Sequence, residues 1–256
     1  MVHVLPSLAR CHVDNTITKR LLMVRVKHTK NTEEFKHNRI IHSITGPLEK
    51  RALLWIAMRI PRCINPDILS IIGFLAAILI GVSYVLSKNN PIFLWIAILG
   101  FVLNWFGDSL DGTLARYRKI ERPRYGYFLD HSLDGISITV ILTGLAFSGY
   151  TRLELAWAVN IIYLLFTLNT SLTNFTSREF QLSYAYIGPT ELRILAIIAS
   201  IGVYFNTAKF IHLPFGDFTI FDGLMILLLV IFIPVFLLST IFQIIQLYKE
   251  EPPPEY

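Results

Sequence analysis

The chain has 256 residues, of which 54% are hydrophobic and only 16% charged, and its formal net charge is +5. Soluble domains carry about a quarter charged residues, so a chain this apolar must place much of its surface against something other than water. This composition excludes intrinsic disorder, collagen-like repeats and a disulfide-rich secreted scaffold, and it indicates a membrane protein.

The amino-terminal region divides into two parts. Residues 1–46 are polar, hold five of the seven histidines and contain no apolar stretch long enough for a secretory signal. Residues 47–61 combine cations such as Lys50 and Arg59 with apolar side chains and end at a proline. This mixture predicts an amphipathic helix that lies in the cytoplasmic membrane interface. The alternative is an ordinary helix packed on other protein.

Six apolar runs approach the roughly 20 residues that cross a bilayer as a helix. They cover residues 67–87, 91–113, 130–149, 153–173, 191–207 and 220–248. Turn-forming residues separate them, for example Gly188 and Pro189 before the fifth run. The sequence therefore predicts an all-α polytopic membrane protein, with six transmembrane helices within residues 62–248 and a cytoplasmic tail at 249–256.

Lysine and arginine are distributed unequally across the membrane in this predicted topology, with 20 on one side and 3 on the other. Cytoplasmic loops retain the excess of positive charge, so both termini are expected in the cytoplasm. Topology then accounts for the basic net charge. Because no basic patch interleaved with aromatic residues appears, we expect contact with anionic membrane lipids and no nucleic-acid partner.

Two cysteines, Cys11 and Cys63, are the only thiols of the sequence. Their spacing matches no metal site, and both lie in segments expected to face the reducing cytoplasm. No disulfide is predicted.

Four aspartates lie near the ends of two neighbouring apolar runs. Asp108 and Asp111 are three residues apart, and Asp130 and Asp134 are four apart, so each pair lies on one helix face. A loop of about a dozen residues between the runs would let both pairs converge at the cytoplasmic leaflet. Repulsion disfavours four ionised carboxylates in one small volume unless cations lie among them. Oxygen ligands suit Mg²⁺, Mn²⁺ or Ca²⁺, so the sequence predicts a divalent-metal site with room for two ions.

Arginines and small residues surround these aspartates. Ion pairs of some aspartates with Arg116, Arg118 or Arg124 are the alternative to a metal site. Gly112, Ala115 and Gly126 are small enough to let a bulky ligand or another backbone approach closely, although small residues also serve helix packing. Arg116 is a suitable clamp for a phosphate that bridges the metals.

Together these residues form the pattern D-x2-D-G-x2-A-R-x9-G-x3-D-x3-D from Asp108 to Asp134. The pattern resembles the signature of the CDP-alcohol phosphotransferase family and matches all eight of its fixed positions. The resemblance implies a homodimeric membrane enzyme of phospholipid biosynthesis. Such an enzyme transfers a substituted phosphoryl group from a CDP-alcohol to a hydroxyl acceptor and releases CMP.

The resemblance also implies roles for individual residues. The ligands of two ions, Mg²⁺ or Mn²⁺, would be Asp108, Asp111, Asp130 and Asp134. The nucleotide would be bound by Gly112, Ala115, Arg116 and Gly126. Asp134 would also act as the general base that deprotonates the attacking hydroxyl.

Two further features are similar to the choline and ethanolamine phosphotransferase branch of this family. His131 follows the third aspartate, and a Gly-Pro-Thr-Glu sequence ends at Glu191. The similarity implies that His131 and Glu191 compete with Asp134 for the role of base. Both also have structural interpretations, as a packed histidine and as a glutamate that favours the helix dipole.

Acceptor recognition is expected in residues 174–193, where Arg178 and Arg193 lie near Glu191. A sugar phosphate or glycerol phosphate would place both arginines on its phosphate. With diacylglycerol as acceptor, the arginines would lie at lipid headgroups. The sequence leaves open both the acceptor and the donor, which is of the CDP-diacylglycerol or the CDP-choline and CDP-ethanolamine type.

Two other functions also place carboxylates in membrane helices. Divalent-cation transporters bind their ions near mid-bilayer on broken helices of repeated halves, whereas this chain has no visible repeat. Intramembrane prenyltransferases bind diphosphate through aspartate-rich motifs, and the pair Asn104 and Asp108 is faintly similar. Their motifs are widely separated, however, whereas Asp111 and Asp130 are only 19 residues apart.

Overall fold

The computed structural model describes residues 46–176, 189–205, 211–213 and 216–253, all within the unit Arg39–Tyr256. The helices are α1 Gly46–Ala57, α2 Pro66–Ser87, α3 Phe93–Arg118, α4 Pro123–Ser148, α5 Leu153–Thr176, α6 Pro189–Phe205 and α7 Ile220–Glu250. Two short strands, β1 Ile211–Leu213 and β2 Gly216–Phe218, precede α7. Cys11 and Arg178 lie outside the described residues, and Cys63 is an exposed free thiol.

The prediction of an all-α polytopic membrane protein is confirmed. Five of the described helices, α2, α3, α4, α5 and α7, are long and apolar enough to cross a membrane. Helix α6 has 17 residues, which span about 25 Å, slightly less than a hydrocarbon core about 30 Å thick. Large apolar side chains on these helices are exposed, among them Leu75 at 57% and Leu238 at 67%. Such a surface suits hydrocarbon rather than water.

The connection between α3 and α4 differs from the sequence-based expectation. The prediction of a loop of about a dozen residues between the two helices was wrong. Helix α3 continues to Arg118 and α4 begins at Pro123, so the connection is much shorter. Lys119 ends α3 in the left-handed conformation with φ 57°, and a proline in the first turn of α4 replaces an N–H that would have no helical partner. Hydropathy marks where the hydrocarbon ends, and charged side chains continue the helix beyond that point.

A short antiparallel ladder between α6 and α7 was also not predicted. Ile211 pairs with Phe218 and Leu213 pairs with Gly216. Strands of three residues are too short to form an independently stable sheet, so they leave the all-helical class unchanged.

Helix α2 lies between α3 and α4 and approaches both at glycines. A Cβ on Gly107 would lie 2.5 Å from Gly73 N and 2.6 Å from Leu69 O. A Cβ on Gly144 would overlap the backbone of Gly81. Only hydrogen atoms fit at these contacts, so the glycines let the backbones come together. Helix α2 thereby holds in place the two helices that carry the four aspartates.

The main core joins α2 to α3, α6 and α7. Tyr84 on α2 is fully buried and packs edge to face against Phe101 and Phe221, with ring centroids 6.3 and 5.9 Å away. Its hydroxyl lies 2.9 Å from Ser200 Oγ on α6. The aromatic rings contribute apolar burial and the hydroxyl has a partner, so Tyr84 fixes these helices without a buried unpaired polar group.

Helix α1 packs with one face on the end of the bundle that carries the aspartates. The inner face belongs to a second cluster, formed by Leu53, Ala57, Leu69, Leu110 and Leu114. The outer face exposes Leu54 and Trp55, and Met58, the residue after the helix, is exposed as well. The Arg59 guanidinium lies 3.7 Å from the centre of the Trp55 ring. The inner face therefore packs on protein, while the outer face keeps the mixture of apolar and basic residues that predicts an interfacial location.

Candidate metal and active site

Three of the four aspartates converge between α3 and α4. One carboxylate oxygen from each of Asp108, Asp130 and Asp134 lies within 4.8 Å of the others. Oxygen ligands of one Mg²⁺ bound at 2.0–2.1 Å are at most about 4.2 Å apart, so small side-chain shifts would bring these oxygens onto one ion. Since Mg²⁺ and Mn²⁺ prefer carboxylate ligands, the donor set fits a divalent ion.

Asp111 lies on the same helix face as Asp108 but outside the group of three. Its Oδ2 accepts a hydrogen bond of 2.5 Å from Ser70 Oγ on α2. Its Oδ1 accepts one from the backbone N–H of Gly112. Helix α2 therefore orients this carboxylate beside the other three.

All four aspartates line one cavity between α2, α3 and α4. Its walls are formed by Ser70, Gly73, Phe74, Asn104, Asp108, Asp111, Asp130, Leu133, Asp134 and Ser137. Four of these ten residues are aspartates, so the cavity favours cations, and ligands that bring cations with them, over apolar ligands.

Arg193 on α6 contacts this group directly. Its Nη2 donates a hydrogen bond of 2.5 Å to Asp108 Oδ2, and its Nε donates one of 2.9 Å to Asn104 Oδ1. Asn104 Nδ2 in turn donates to Gly73 O at 2.9 Å. The Arg193 side chain is only 14% exposed, so this ion pair is partly desolvated and charge-assisted. It fastens α6 to the turn of α3 that carries Asp108.

Other arginines near the aspartates hold the connections between helices. Arg118 donates to the carbonyls of Ile64 at 2.6 Å and Ile60 at 3.0 Å, which fixes the link from α1 to α2. Arg122 forms an ion pair with Asp67. The hydrogen bond that Arg122 donates to Asp67 raises the pKa of its guanidinium above the ordinary value. Ion pairing of the aspartate group is thus seen with Arg193, a partner that the sequence interpretation had not suggested.

The residues assigned to the nucleotide lie on helix turns beside the aspartates. Arg116 is exposed, and its Nη2 donates to Thr113 Oγ1 at 3.2 Å. A Cβ on Gly112 would lie 3.3 Å from Arg116 Nη1. A Cβ on Gly126 would meet nothing within 4 Å, so packing within the protein does not require a glycine there. Ala115 is partly exposed. The arrangement leaves space for a ligand next to the exposed Arg116 guanidinium.

His131 lies beside Asp130 and packs against Tyr127. The two ring centroids are 4.0 Å apart, and His131 Nδ1 is 3.7 Å from Asp130 Oδ2. The Tyr127 hydroxyl accepts a hydrogen bond of 3.0 Å from Asn174 Nδ2 and donates one of 3.3 Å to Ser171 Oγ, both on α5. Helix α5 therefore holds the imidazole next to the aspartates. This geometry is compatible with both the catalytic and the packing interpretation.

Glu191 lies in the first turn of α6 and is partly buried. It precedes Arg193 by two residues, so the same turn reaches the aspartate group. A glutamate in the first turn also interacts favourably with the helix dipole. The geometry is therefore compatible with both a catalytic and a structural role for Glu191. The second predicted acceptor-binding arginine, Arg178, lies outside the described residues.

Two lining residues were missed or undervalued by the sequence interpretation. Asn104 lies four residues before Asp108, and helical spacing alone places both on one face. Ser70 lies on a different helix, 41 residues from its partner Asp111. No local pattern connects residues so far apart in sequence.

Comparison with known proteins identifies the family. The family described as CDP-alcohol phosphatidyltransferase matches residues 63–247. Archaetidylinositol phosphate synthase of Pyrococcus horikoshii is 31% identical over 146 residues, which are 57% of this chain and 72% of that protein. Archaetidylinositol phosphate synthase of Methanothermobacter thermautotrophicus is 32% identical over 107 residues, which are 42% of this chain and 51% of that protein. No solved structure matches the chain significantly. The matched region includes all four aspartates, and the chain belongs to the CDP-alcohol phosphatidyltransferase family.

Proposed function

We propose that this protein catalyses the metal-dependent transfer of a substituted phosphoryl group from a CDP-alcohol to a hydroxyl acceptor, with release of CMP. The observation that supports this most is the group of three aspartate oxygens within 4.8 Å of one another. The group lies inside the residues matched by a family of transferases. That match favours this reaction over cation transport and prenyl transfer.

Two divalent ions, Mg²⁺ or Mn²⁺, are proposed to complete the site. Asp108, Asp130 and Asp134 would share one ion, and Asp111, held by Ser70, would contribute to the second. When bound, the ions would polarise the bridging phosphates and stabilise CMP as the leaving group.

The protein residues supply the remaining chemistry. The acceptor oxygen bonds to the phosphorus that carries the alcohol, the bond from that phosphorus to the bridging oxygen breaks, and CMP departs. The hydroxyl proton passes to a base near the aspartates. Two assignments of this base remain: Asp134 itself, or His131 acting with Glu191. Both keep the base next to the proposed ions, where the attacking oxygen must be.

The donor nucleotide is proposed to bind across the facing turns of α3 and α4. Gly112, Ala115 and Gly126 would line the cytidine pocket, since a larger side chain at Gly126 would occupy open space rather than protein. Arg116 would contact the diphosphate, because its guanidinium is exposed beside Gly112 and suits phosphate oxygens.

A phosphorylated polyol is the favoured acceptor. Two relatives are named as synthases of archaetidylinositol phosphate, which favours a lipid donor and a polar phosphorylated acceptor over diacylglycerol. Arg193 contacts Asp108, so an acceptor phosphate bound by Arg193 would bring its hydroxyl near the ions. Arg178 is proposed as a second clamp. The features similar to the choline and ethanolamine branch, His131 and Glu191, make CDP-choline and CDP-ethanolamine necessary parts of the donor panel.

The membrane arrangement follows from charge. In the predicted topology, 20 of the 23 lysines and arginines lie on one side of the membrane. Both termini and the aspartates are therefore proposed to face the cytoplasmic leaflet. The outer face of α1 would lie in the same interface, against anionic lipid. Homodimerisation is proposed from the family resemblance, and crosslinking in bilayers would test it, since a purely monomeric protein would contradict it.

One assay tests the proposed function. Purified protein receives CDP-diacylglycerol, CDP-choline or CDP-ethanolamine, each with inositol phosphate, glycerol phosphate or diacylglycerol, and released CMP is measured. We expect release that requires Mg²⁺ or Mn²⁺, stops with a chelator and is fastest with the lipid donor and a phosphorylated polyol. Absence of CMP release from every pair, or release that is insensitive to the chelator, would contradict the proposal.

A further inference from the structure

Glu49, in the first turn of α1, lies before the residues matched by the family. Its Oε1 accepts three hydrogen bonds: from Trp105 Nε1 at 2.7 Å, from Ser109 Oγ at 3.2 Å and from Thr190 Oγ1 at 3.0 Å. Trp105 and Ser109 belong to α3, and Thr190 belongs to α6. A single carboxylate oxygen therefore joins three helices.

These donors lie next to the aspartate group. Ser109 follows Asp108 directly, and Thr190 lies one helical turn before Arg193. Arg193 Nη2 donates to Asp108 Oδ2 at 2.5 Å. The first turn of α6 is thus attached to α3 at two points, through the Glu49 carboxylate and through the Arg193 guanidinium.

Glu49 lies on the inner face of α1 and is partly buried. Leu53 and Ala57 follow it at intervals of four residues, on the same inner face, and both are buried. An ionised group on such a face costs free energy unless hydrogen bonds compensate. Here the three donors are neutral groups, and hydrogen bonds to a carboxylate are stronger than those between neutral partners. The carboxylate therefore fixes the register of α1 and α6 on α3 more specifically than apolar packing would.

We propose that Glu49 is a positioning residue that sets the first turn of α6, with Glu191 and Arg193, relative to the aspartates of α3. The inference rests on the proposed function, in which this turn meets the acceptor. Glu49 acts on the acceptor rather than the donor, because its bond to Thr190 reaches the turn of α6 that carries Glu191 and Arg193, and no residue assigned to the nucleotide lies on α6. Since the outer face of α1 is the proposed membrane contact, one carboxylate links that contact to acceptor binding.

The test compares acceptor and donor KM values of the full-length protein in lipid vesicles. Glu49→Ala removes the accepting oxygen, and Thr190→Val removes one donor at nearly constant volume. Each is expected to raise the acceptor KM about tenfold and to change the donor KM by less than about twofold, since both variants lose the charge-assisted hydrogen bond between Glu49 and Thr190 that reaches α6. The double variant should match Glu49→Ala, because both changes break the same contact.

Two further variants separate positioning from general loss of structure. Glu49→Gln keeps an accepting oxygen, so it should restore the acceptor KM to within about threefold of wild type. Glu154→Ala removes an exposed glutamate from the first turn of α5 and should leave both KM values unchanged.

An unchanged acceptor KM in Thr190→Val and Glu49→Ala, or an equal rise in both KM values, would overturn the inference. A loss confined to kcat would do the same. Where Glu49→Ala does not fold, Thr190→Val decides, because it leaves the bonds from Trp105 and Ser109 in place. Wild-type protein that releases no CMP contradicts the proposed function instead, and this is seen before any variant is compared.

Discussion

Aspartates at the two ends of the helical bundle have opposite environments. Asp222, in the first turn of α7, is only 2% exposed. Its Oδ1 accepts hydrogen bonds from Thr151 Oγ1 at 2.8 Å and from the Arg152 N–H at 2.9 Å, and its Oδ2 accepts one from the Thr219 N–H at 3.0 Å. Thr219 Oγ1 accepts in return from the Asp222 N–H at 3.0 Å, which completes a capping box.

The aspartates at the other end face one another instead. Asp108, Asp130 and Asp134 are partly exposed and present oxygens within 4.8 Å of one another. Like charges at this distance repel, and the ion pair between Arg193 and Asp108 offsets only part of that repulsion, so a bound metal ion would stabilise the group. A single carboxylate whose oxygens are all bonded to neighbouring N–H and O–H groups is a structural element, whereas mutually repelling carboxylates indicate function.

The largest expected effect lies in the repelling group. Asp108→Ala, Asp111→Ala and Asp130→Ala should each lower CMP release by roughly a thousandfold, because each removes charge that holds the ions at the reacting phosphates. The variants should still insert and fold, as judged by size-exclusion chromatography, with Glu154→Ala as the matched control. Full activity in any of the three would refute the metal assignment for that residue.

A second effect distinguishes the base from the metal ligands. His131→Ala and Glu191→Ala should each lose more activity than Asp134→Asn if the histidine and glutamate form the base, with losses of roughly a hundredfold or more. Initial rates at saturating donor and metal measure this order. The reverse order would transfer the role of base to Asp134.

The structural aspartate should respond in the opposite way. Asp222→Ala leaves the Thr151 hydroxyl and two backbone N–H groups without their acceptor, at a cost of roughly 3 kcal/mol or more. Its melting temperature in detergent should fall, while activity per folded molecule is retained. In the presence of a chelator, Asp130→Ala should melt no lower than wild type, because it relieves repulsion. If Asp222→Ala and Asp130→Ala lowered the melting temperature equally, the distinction between a structural and a functional aspartate would be wrong.

The smallest effects are expected at two glycines, one of which is required by helix packing and the other by the proposed nucleotide pocket. Gly107→Ala forces a Cβ to within 2.5 Å of Gly73 N, so it should cost about 1–3 kcal/mol and lower the melting temperature. Gly126→Ala meets open space and should leave the melting temperature unchanged while raising the donor KM a few fold. An unchanged donor KM would remove Gly126 from the nucleotide pocket.

Local spacing explains what the sequence could reveal. Intervals of three and four residues placed each aspartate pair on one helix face, and the structure brings Asp108, Asp130 and Asp134 together. The turn between the pairs was misjudged, because hydropathy reports the limit of the hydrocarbon and not the end of a helix. Lys119, at which α3 ends, and Pro123, at which α4 begins, mark the actual boundaries.

Contacts between distant segments account for what the sequence could not reveal. Ser70 is 41 residues from Asp111, Glu49 is 60 from Ser109, and Arg193 is 85 from Asp108. These contacts depend on how α1, α2 and α6 pack on α3, and the periodicity of one helix carries no information about the position of another. Asn104 is the exception, since its spacing from Asp108 was visible in the sequence.

Binding of Mn²⁺ to the purified full-length protein tests the central claim most directly, because it needs neither substrate nor turnover. Electron paramagnetic resonance would follow the titration of wild type, Asp130→Ala and the control Glu154→Ala. We predict binding by wild type and control, and a loss of at least about tenfold in affinity for Asp130→Ala. Equal affinity of wild type and Asp130→Ala for Mn²⁺ would contradict the account.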